Sequence, residues 1–145
     1  MGLGDIPVED GERLARMILS EKHVRRERGK VAAKPEAFLP CKRVELSVIR
    51  HRELSESELW EVGREVSAKR EAGDQSGRKF PLLGRGDFFA QDARAQNLDA
   101  VPAEGPELPR NHADIIGWPP GKPAQMLRAV KIAALATFLE MPSTI

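Results

Sequence analysis

The sequence predicts a single α+β domain, in which a few short strands pack against two main helices, about 56–71 and 123–140, joined by long loops. Three stretches carry that expectation. In residues 44–50 apolar and polar side chains alternate, with Val44, Leu46 and Val48 on one face and Glu45, Ser47 and Ile49 on the other, the period of a strand. Ser55 and Glu58 stand at capping-box spacing ahead of Leu59, Val62 and Val66, which recur at helical spacing with Trp60 beside them. Pro123 suits the first turn of a second helix, because its missing amide hydrogen costs nothing there, and no breaker follows until Pro142. A chain of 145 residues has the length of one domain and can bury a core without a metal or disulfides.

Residues 1–11 contain three glycines and one proline, and they predict an extended lead that is ordered only if it docks. The domain then spans 12–142. Arg13-Leu14-Ala15-Arg16-Met17-Ile18-Leu19 reads as one turn of helix or a short strand, with the strand favoured, and Ser20 offers a cap for a brief helix over 21–26. The charged stretch 22–30 turns at Gly29, and Glu21 and Glu27 within it favour a solvated loop over a phosphate site. Two prolines limit a single turn over 35–40 that plants Phe38 in the core. Within the 56–71 helix, Gly63 costs about 1 kcal/mol relative to Ala, so it marks close packing against a neighbour.

Residues 71–78 read as the least ordered internal loop. A strand, or a turn leading into one, is expected over 82–90, then a helical turn over 92–97 before residues 98–101. The proline-rich 102–109 should cross the surface as an extended connection, and 112–116 returns as a strand. Gly117, Pro119 and Pro120 then turn the chain around Trp118. Its ring either fastens that turn near Met126 or Leu127 or stands exposed as an anchor for a protein partner. Along the final helix Gln125, Arg128 and Lys131 form one narrow polar stripe and the rest is apolar, which predicts burial on several sides. The helix is shorter than the roughly 20 apolar residues that span a bilayer.

Lys and Arg total 23 against 22 Asp and Glu, and Tyr is absent, so neither nucleic acid nor an acidic membrane surface is an expected partner. His23, His51 and His112 are far apart in sequence, and no metal-ligand or cofactor motif is visible, so no metal and no cofactor are expected. One cysteine, Cys41, and a start without a basic end or an apolar run point to the cytoplasm. His112 and Asp114, two apart on a strand, share a face and can act as a base and its neighbour. The competing reading has His112 tether a loop by one hydrogen bond and Asp114 face solvent or cap a turn. Gly84-Arg85-Gly86-Asp87 offers Arg85 and backbone amides to a phosphate, against a reading as a turn with positive φ. Cys41, beside Lys42 and Arg43, lacks a histidine neighbour in sequence and reads as incidental.

Arg16 on a first strand, Ser47 on the next and a later acidic residue follow the order of arginine, serine and glutamate in ADP-ribosyltransferases, though the serine-containing triplet is missing around Ser47. That resemblance implies a small enzyme. Ala37-Phe38, Glu45-Leu46-Ser47-Val48, Gly84-Arg85 and His112-Ala113-Asp114-Ile115 with Gly117-Trp118-Pro119 resemble a set of small bacterial proteins of no assigned activity, over about residues 12 to 140. This second resemblance implies a bacterial cytosolic protein with one compact domain. With long irregular segments and no complete catalytic motif, the expected function is that of an accessory protein acting through a protein partner. The alternative is a small enzyme using His112 and Asp114.

Overall fold

The structure is a computed structural model that describes residues 3–41 and 45–142. Expectations for Lys42, Arg43 and Val44 lie outside the described residues. Strands β1 (Arg13–Ile18), β2 (Val24–Glu27), β3 (Lys30–Ala33) and β4 (Leu46–Arg50) precede helix α1 (Glu56–Ala72). Then come β5 (Gly84–Phe89), the short helix α2 (Ala90–Arg94), β6 (Asp99–Pro102), β7 (His112–Ile116), α3 (Lys122–Leu135) and β8 (Thr137–Glu140). Six of these strands form one antiparallel sheet in the order β6-β7-β4-β1-β5-β8, and β2 and β3 form a separate hairpin. The chain is a single α+β domain.

Strand alternation divides the side chains of the sheet between two layers. Leu14, Ile18, Leu46, Val48, Phe88, Ala113 and Ile115 face the larger core, which Phe38, Trp118, Ala129 and Ile132 complete. Ala15, Met17 and Ile49 face the other way, against Leu59 and Val62 of α1. The capping box forms as expected: Ser55 Oγ accepts from the Glu58 amide at 3.2 Å, and Glu58 Oε1 accepts from the Ser55 amide at 2.9 Å. Phe38 is fully buried at the end of a 3₁₀ turn (Pro35–Phe38) that Pro35 opens, and its ring meets Phe88 edge-on at 5.7 Å.

The lead docks. Arg50, fully buried at the end of β4, grips both oxygens of Glu12 and donates to the carbonyls of Ile6 at 2.8 Å and Pro7 at 3.2 Å. Arg94 adds a bond to the Val8 carbonyl at 2.7 Å, and Leu3 and Val8 are buried. Burial alone would raise the Glu12 pKa, but the bonds from Arg50 and from the Glu9 amide outweigh it and hold the carboxyl below its ordinary value.

Three expectations change. Only Glu21–His23 is helical after Ser20, and Val24 begins a hairpin instead, because Arg28 and Gly29 both take positive φ (51° and 77°) and make the tight turn that joins twisted strands. Gly84-Arg85-Gly86-Asp87 is not a turn but part of β5, paired with β1 and β8. Its glycines serve close approach: a Cβ on Gly86 would stand 2.7 Å from Phe38 Cζ, and one on Gly84 2.5 Å from the Leu139 carbonyl oxygen. The final helix stops at Leu135, where the chain becomes β8, and it is buried on one side only. Gln125 and Arg128, expected to face solvent, instead donate to the carbonyls of Pro119 and Gln96. That turn of the helix leaves Leu127, Val130 and Leu135 exposed by 69%, 45% and 57%.

Two glycine-to-alanine changes separate rigid from yielding contacts. Gly86→Ala meets a locked ring and is expected to cost about 1–3 kcal/mol by overpacking. Gly63→Ala meets Leu82 Cδ2 at 2.8 Å, the end of a half-buried side chain that can turn aside, and it gains about 1 kcal/mol of helix propensity, leaving stability near wild type. Urea unfolding of the two variants checks the contrast, and equal losses would refute it. In the same assay Arg50→Met, which leaves Glu12 buried without its partner and frees the lead, should cost about 3–5 kcal/mol.

Candidate functional site

The centre of the sheet is open. β1 pairs with β5 along all six of its residues, but with β4 only at Leu14↔Arg50 and Ala15↔Ile49. Beyond that point the two strands part, and the side chain of Arg16 lies across the gap. Its Nε donates to the Ala37 carbonyl at 2.9 Å and its Nη1 to the Ser47 carbonyl at 3.0 Å. Backbone direction alternates along a strand, and Arg50 bonds through its amide to Asn111 on the β7 side, so the Ser47 carbonyl faces β1 and receives a guanidinium where a strand amide would otherwise be. No carboxylate lies within ion-pair distance of Arg16 among the described residues.

Burial pushes the Arg16 pKa down to about 10, with the nearby Cys41 sulfur opposing the shift and the charge of Arg70 adding to it. It remains a cation at neutral pH. Protein atoms surround the guanidinium, and the side chain is only partly covered because it opens into a cavity of about 670 Å³ in the cleft between β1 and β4. Met17, Ile49, Val66, Phe80, Leu108 and Pro109 give that cavity apolar walls. Lys69 and Arg70, on the last turn of α1, line it together with Arg78, which is paired with Asp74 at 3.0 Å. Glu45 and Glu107 are its acidic members. His23 also lines it, and burial and then the Arg16 charge lower its pKa, so the ring is neutral at physiological pH.

His112 stands on another wall. β7 places it on the same face as Asp114, and its Nε2 lies 3.6 Å from Asp114 Oδ1. His112 Nδ1 is 2.8 Å from the Ala103 carbonyl, which can only accept, so Nδ1 carries the proton and the ring does tether the connection between β6 and β7. In the neutral ring Nε2 is then an acceptor facing Asp114 Oδ1, a second acceptor that is buried with no hydrogen-bond partner. The two oppose each other unless one proton is held between them. Burial and then the nearby Glu45 charge favour keeping it on Asp114, whose pKa is raised, while His112 opposes that shift. Such a pair can exchange a proton with a group in the cavity.

Of the residues singled out from sequence, Arg16 and His112 line this one cavity, with Asp114 beside them. Arg85 and Trp118 lie elsewhere. Arg85 is 1% exposed under α1, bonded to Asp87 at 3.1 Å and Glu56 at 2.7 Å, with its guanidinium 4.6 Å from the Trp60 ring centroid. Trp118 is 6% exposed in the larger core cluster, which Met126 also joins, and its Nε1 donates to the Ile115 carbonyl at 3.0 Å. The indole fastens the turn and leaves no exposed anchor. Sequence reasoning missed Arg70 on α1, His23 on the 3₁₀ turn Glu21–His23 and Phe80 on the 73–83 loop, which come from three elements that no local pattern joins.

The described residues contain no group of three or more His, Cys, Asp or Glu side chains placed for a metal ion, and no helix among them is long and apolar enough to cross a membrane. Fold and site together define a one-domain α+β protein with a cation-floored cleft in its sheet. Compared with protein-family models, curated proteins and solved structures, the chain matches none.

The raised Asp114 pKa has a consequence for stability. A carboxyl whose folded pKa exceeds its unfolded value stabilises the fold only while protonated, and this contribution is lost as pH rises through the folded value. Asp114→Asn cannot ionise, so its stability relative to wild type should improve as pH rises from about 4, the ordinary carboxyl value, through the raised folded value in urea unfolding. A difference that does not change with pH would show that Asp114 ionises at no cost.

Proposed function

We propose that the protein binds a small organic anion, a carboxylate or phosphate with an apolar body, in the cleft between β1 and β4. The observation that carries this reading is Arg16: a cation inside the fold with no carboxylate partner among the described residues, opening into a cavity with apolar walls. A guanidinium presents a planar fork that matches carboxylate and phosphate oxygens, and in a site of low dielectric the bond is stronger than in water. The volume is that of a pocket for a small molecule rather than a macromolecule. His112 and Asp114 give the same cavity a means of proton exchange, which is what the enzyme alternative requires. The ADP-ribosyltransferase-like alternative draws on Arg16 and Ser47 meeting across the gap; Glu45 and Glu107 line the same cavity, but among the described residues neither is within ion-pair distance of Arg16. The free thiol of Cys41 on the cavity lining supports a reducing compartment such as the cytoplasm, and a bacterial source is what the second resemblance implies.

A second reading, in which the protein acts through a protein partner, draws on the exposed Leu127, Val130 and Leu135 of α3. Leu127→Glu would then abolish capture of that partner without lowering the melting temperature.

Thermal unfolding against a panel of small carboxylates and phosphates tests the main reading. An anion present at one hundred times its dissociation constant adds about 2.7 kcal/mol to stability. Arg16→Gln should remove that gain while the variant still unfolds cooperatively. If no anion raises the melting temperature, or if the rise survives Arg16→Gln, the cleft is not an anion site.

A further inference from the structure

Resting on that reading, we infer that the ligand carries two anionic groups at opposite ends of an apolar spine, one held by Arg16 on the floor and the other by Arg70 at the mouth. The mouth is built asymmetrically. Arg78 is neutralised by Asp74 at 3.0 Å, whereas Lys69 and Arg70 have no carboxylate within ion-pair distance among the described residues. A cation in the last turn of a helix is explained in general by the helix dipole, and that accounts for the presence of Lys69 and Arg70. It does not account for where Arg70 lies. The Arg70 guanidinium sits 4.6 Å from the centroid of the Phe80 ring, so the aromatic face holds it at the rim rather than leaving it free in solvent.

The two arginines also oppose each other. The charge of Arg70 disfavours the charged form of Arg16, and Lys69 lines the same cavity, so three cations without an ion-pair partner among the described residues share it with Glu45 and Glu107. A single anion at Arg16 would relieve the floor and leave the mouth unanswered. Glu45 and Glu107 line the cavity as well, and they exclude a second anion from their own parts of the wall, which leaves the rim of Lys69 and Arg70 as its place, with Arg70 the one that the Phe80 ring holds there. Between floor and rim the lining is apolar, through Met17, Ile49 and Val66, and it suits a hydrocarbon or aromatic spine. The class of ligand is therefore an elongated dianion, a dicarboxylate or its phosphate counterpart.

Matched probes that differ only in the second charge give the test: benzoate against terephthalate, octanoate against octanedioate, and octanoate with added inorganic phosphate. Titration calorimetry on the whole chain should show one or both dicarboxylates binding about tenfold tighter than the corresponding monocarboxylate, with a steeper loss of affinity as salt is added. Arg70→Gln, a change at an exposed side chain, should weaken the dicarboxylate far more than the matched monocarboxylate and so erase that advantage. If inorganic phosphate fills the rim beside octanoate, the second group is a phosphate that need not be joined to the first, and the single elongated ligand is overturned. Equal affinities within each pair, or an advantage that survives Arg70→Gln, overturn the two-ended site while leaving anion binding at Arg16 intact. No binding by any probe overturns both readings together.

Discussion

A guanidinium in the middle of a six-stranded sheet is the constraint on which the architecture turns. β1 is an interior strand and would ordinarily satisfy its backbone from both sides. On the β5 side it does so along its whole length, but on the β4 side only two residues pair. Arg16 makes that opening tolerable, because its Nη1 satisfies the Ser47 carbonyl and its Nε the Ala37 carbonyl of the turn that packs above. The cleft is thus a place where side-chain hydrogen bonds replace a ladder. A sheet opened without such a replacement would bury unsatisfied carbonyls at a cost of about 1–3 kcal/mol each.

Arg16 gains meaning by comparison with the other two arginines inside the fold. Arg50 has both oxygens of Glu12 and two carbonyls of the lead, and Arg85 has Asp87 and Glu56 with the face of Trp60 beside it. Each joins elements distant in sequence, and each carries its counter-charge with it. Arg50 fixes the start of the chain to the end of β4, and Arg85 fixes the start of α1 to β5. Arg16 has hydrogen bonds but no counter-charge. Since burial disfavours a lone cation, the arrangement costs stability that the two structural arginines recover from their partners. Uncompensated charge in a cavity is the mark of a site built to receive something.

The sequence discloses those parts of the molecule that local rules govern. Ser55 and Glu58 announce the start of α1 because a capping box uses only neighbours in sequence, and Pro35 and Phe38 announce the 3₁₀ turn for the same reason. Gly63 signals close packing, and Met17 and Leu82 are what it packs against. β5 is misread because Gly84 and Gly86 look like turn residues, while their purpose is to admit Phe138 and Phe38 from elements far away in the chain. α3 is misread because Gln125 and Arg128 look like a solvent stripe, yet they reach carbonyls of Pro119 and Gln96 that nothing in the local pattern reveals. Of the site, the His112 and Asp114 spacing is legible in sequence. The role of Arg16 is not, because it depends on the register at which β4 leaves β1.

The cavity and the apolar stripe on α3 lie on different parts of the fold and weigh differently as sites. Leu127, Val130 and Leu135 form a surface whose composition alone sets it apart, and exposed apolar side chains occur on most proteins. The cleft differs in kind, since opening a sheet, burying a cation without a carboxylate and leaving Asp114 Oδ1 unpartnered each raise the free energy of the folded chain. Three unfavourable features lie in or against one cavity, and although His51 Nε2 and Arg85 Nη1 are also buried without a hydrogen-bond partner outside it, each of those residues has a carboxylate within ion-pair distance. Folding alone gives no reason for that concentration. A ligand that supplies negative charge to Arg16 and a hydrogen-bonding group to the His112 and Asp114 wall would convert these local costs into binding energy, with the tightly packed remainder of the domain holding the cleft open for it.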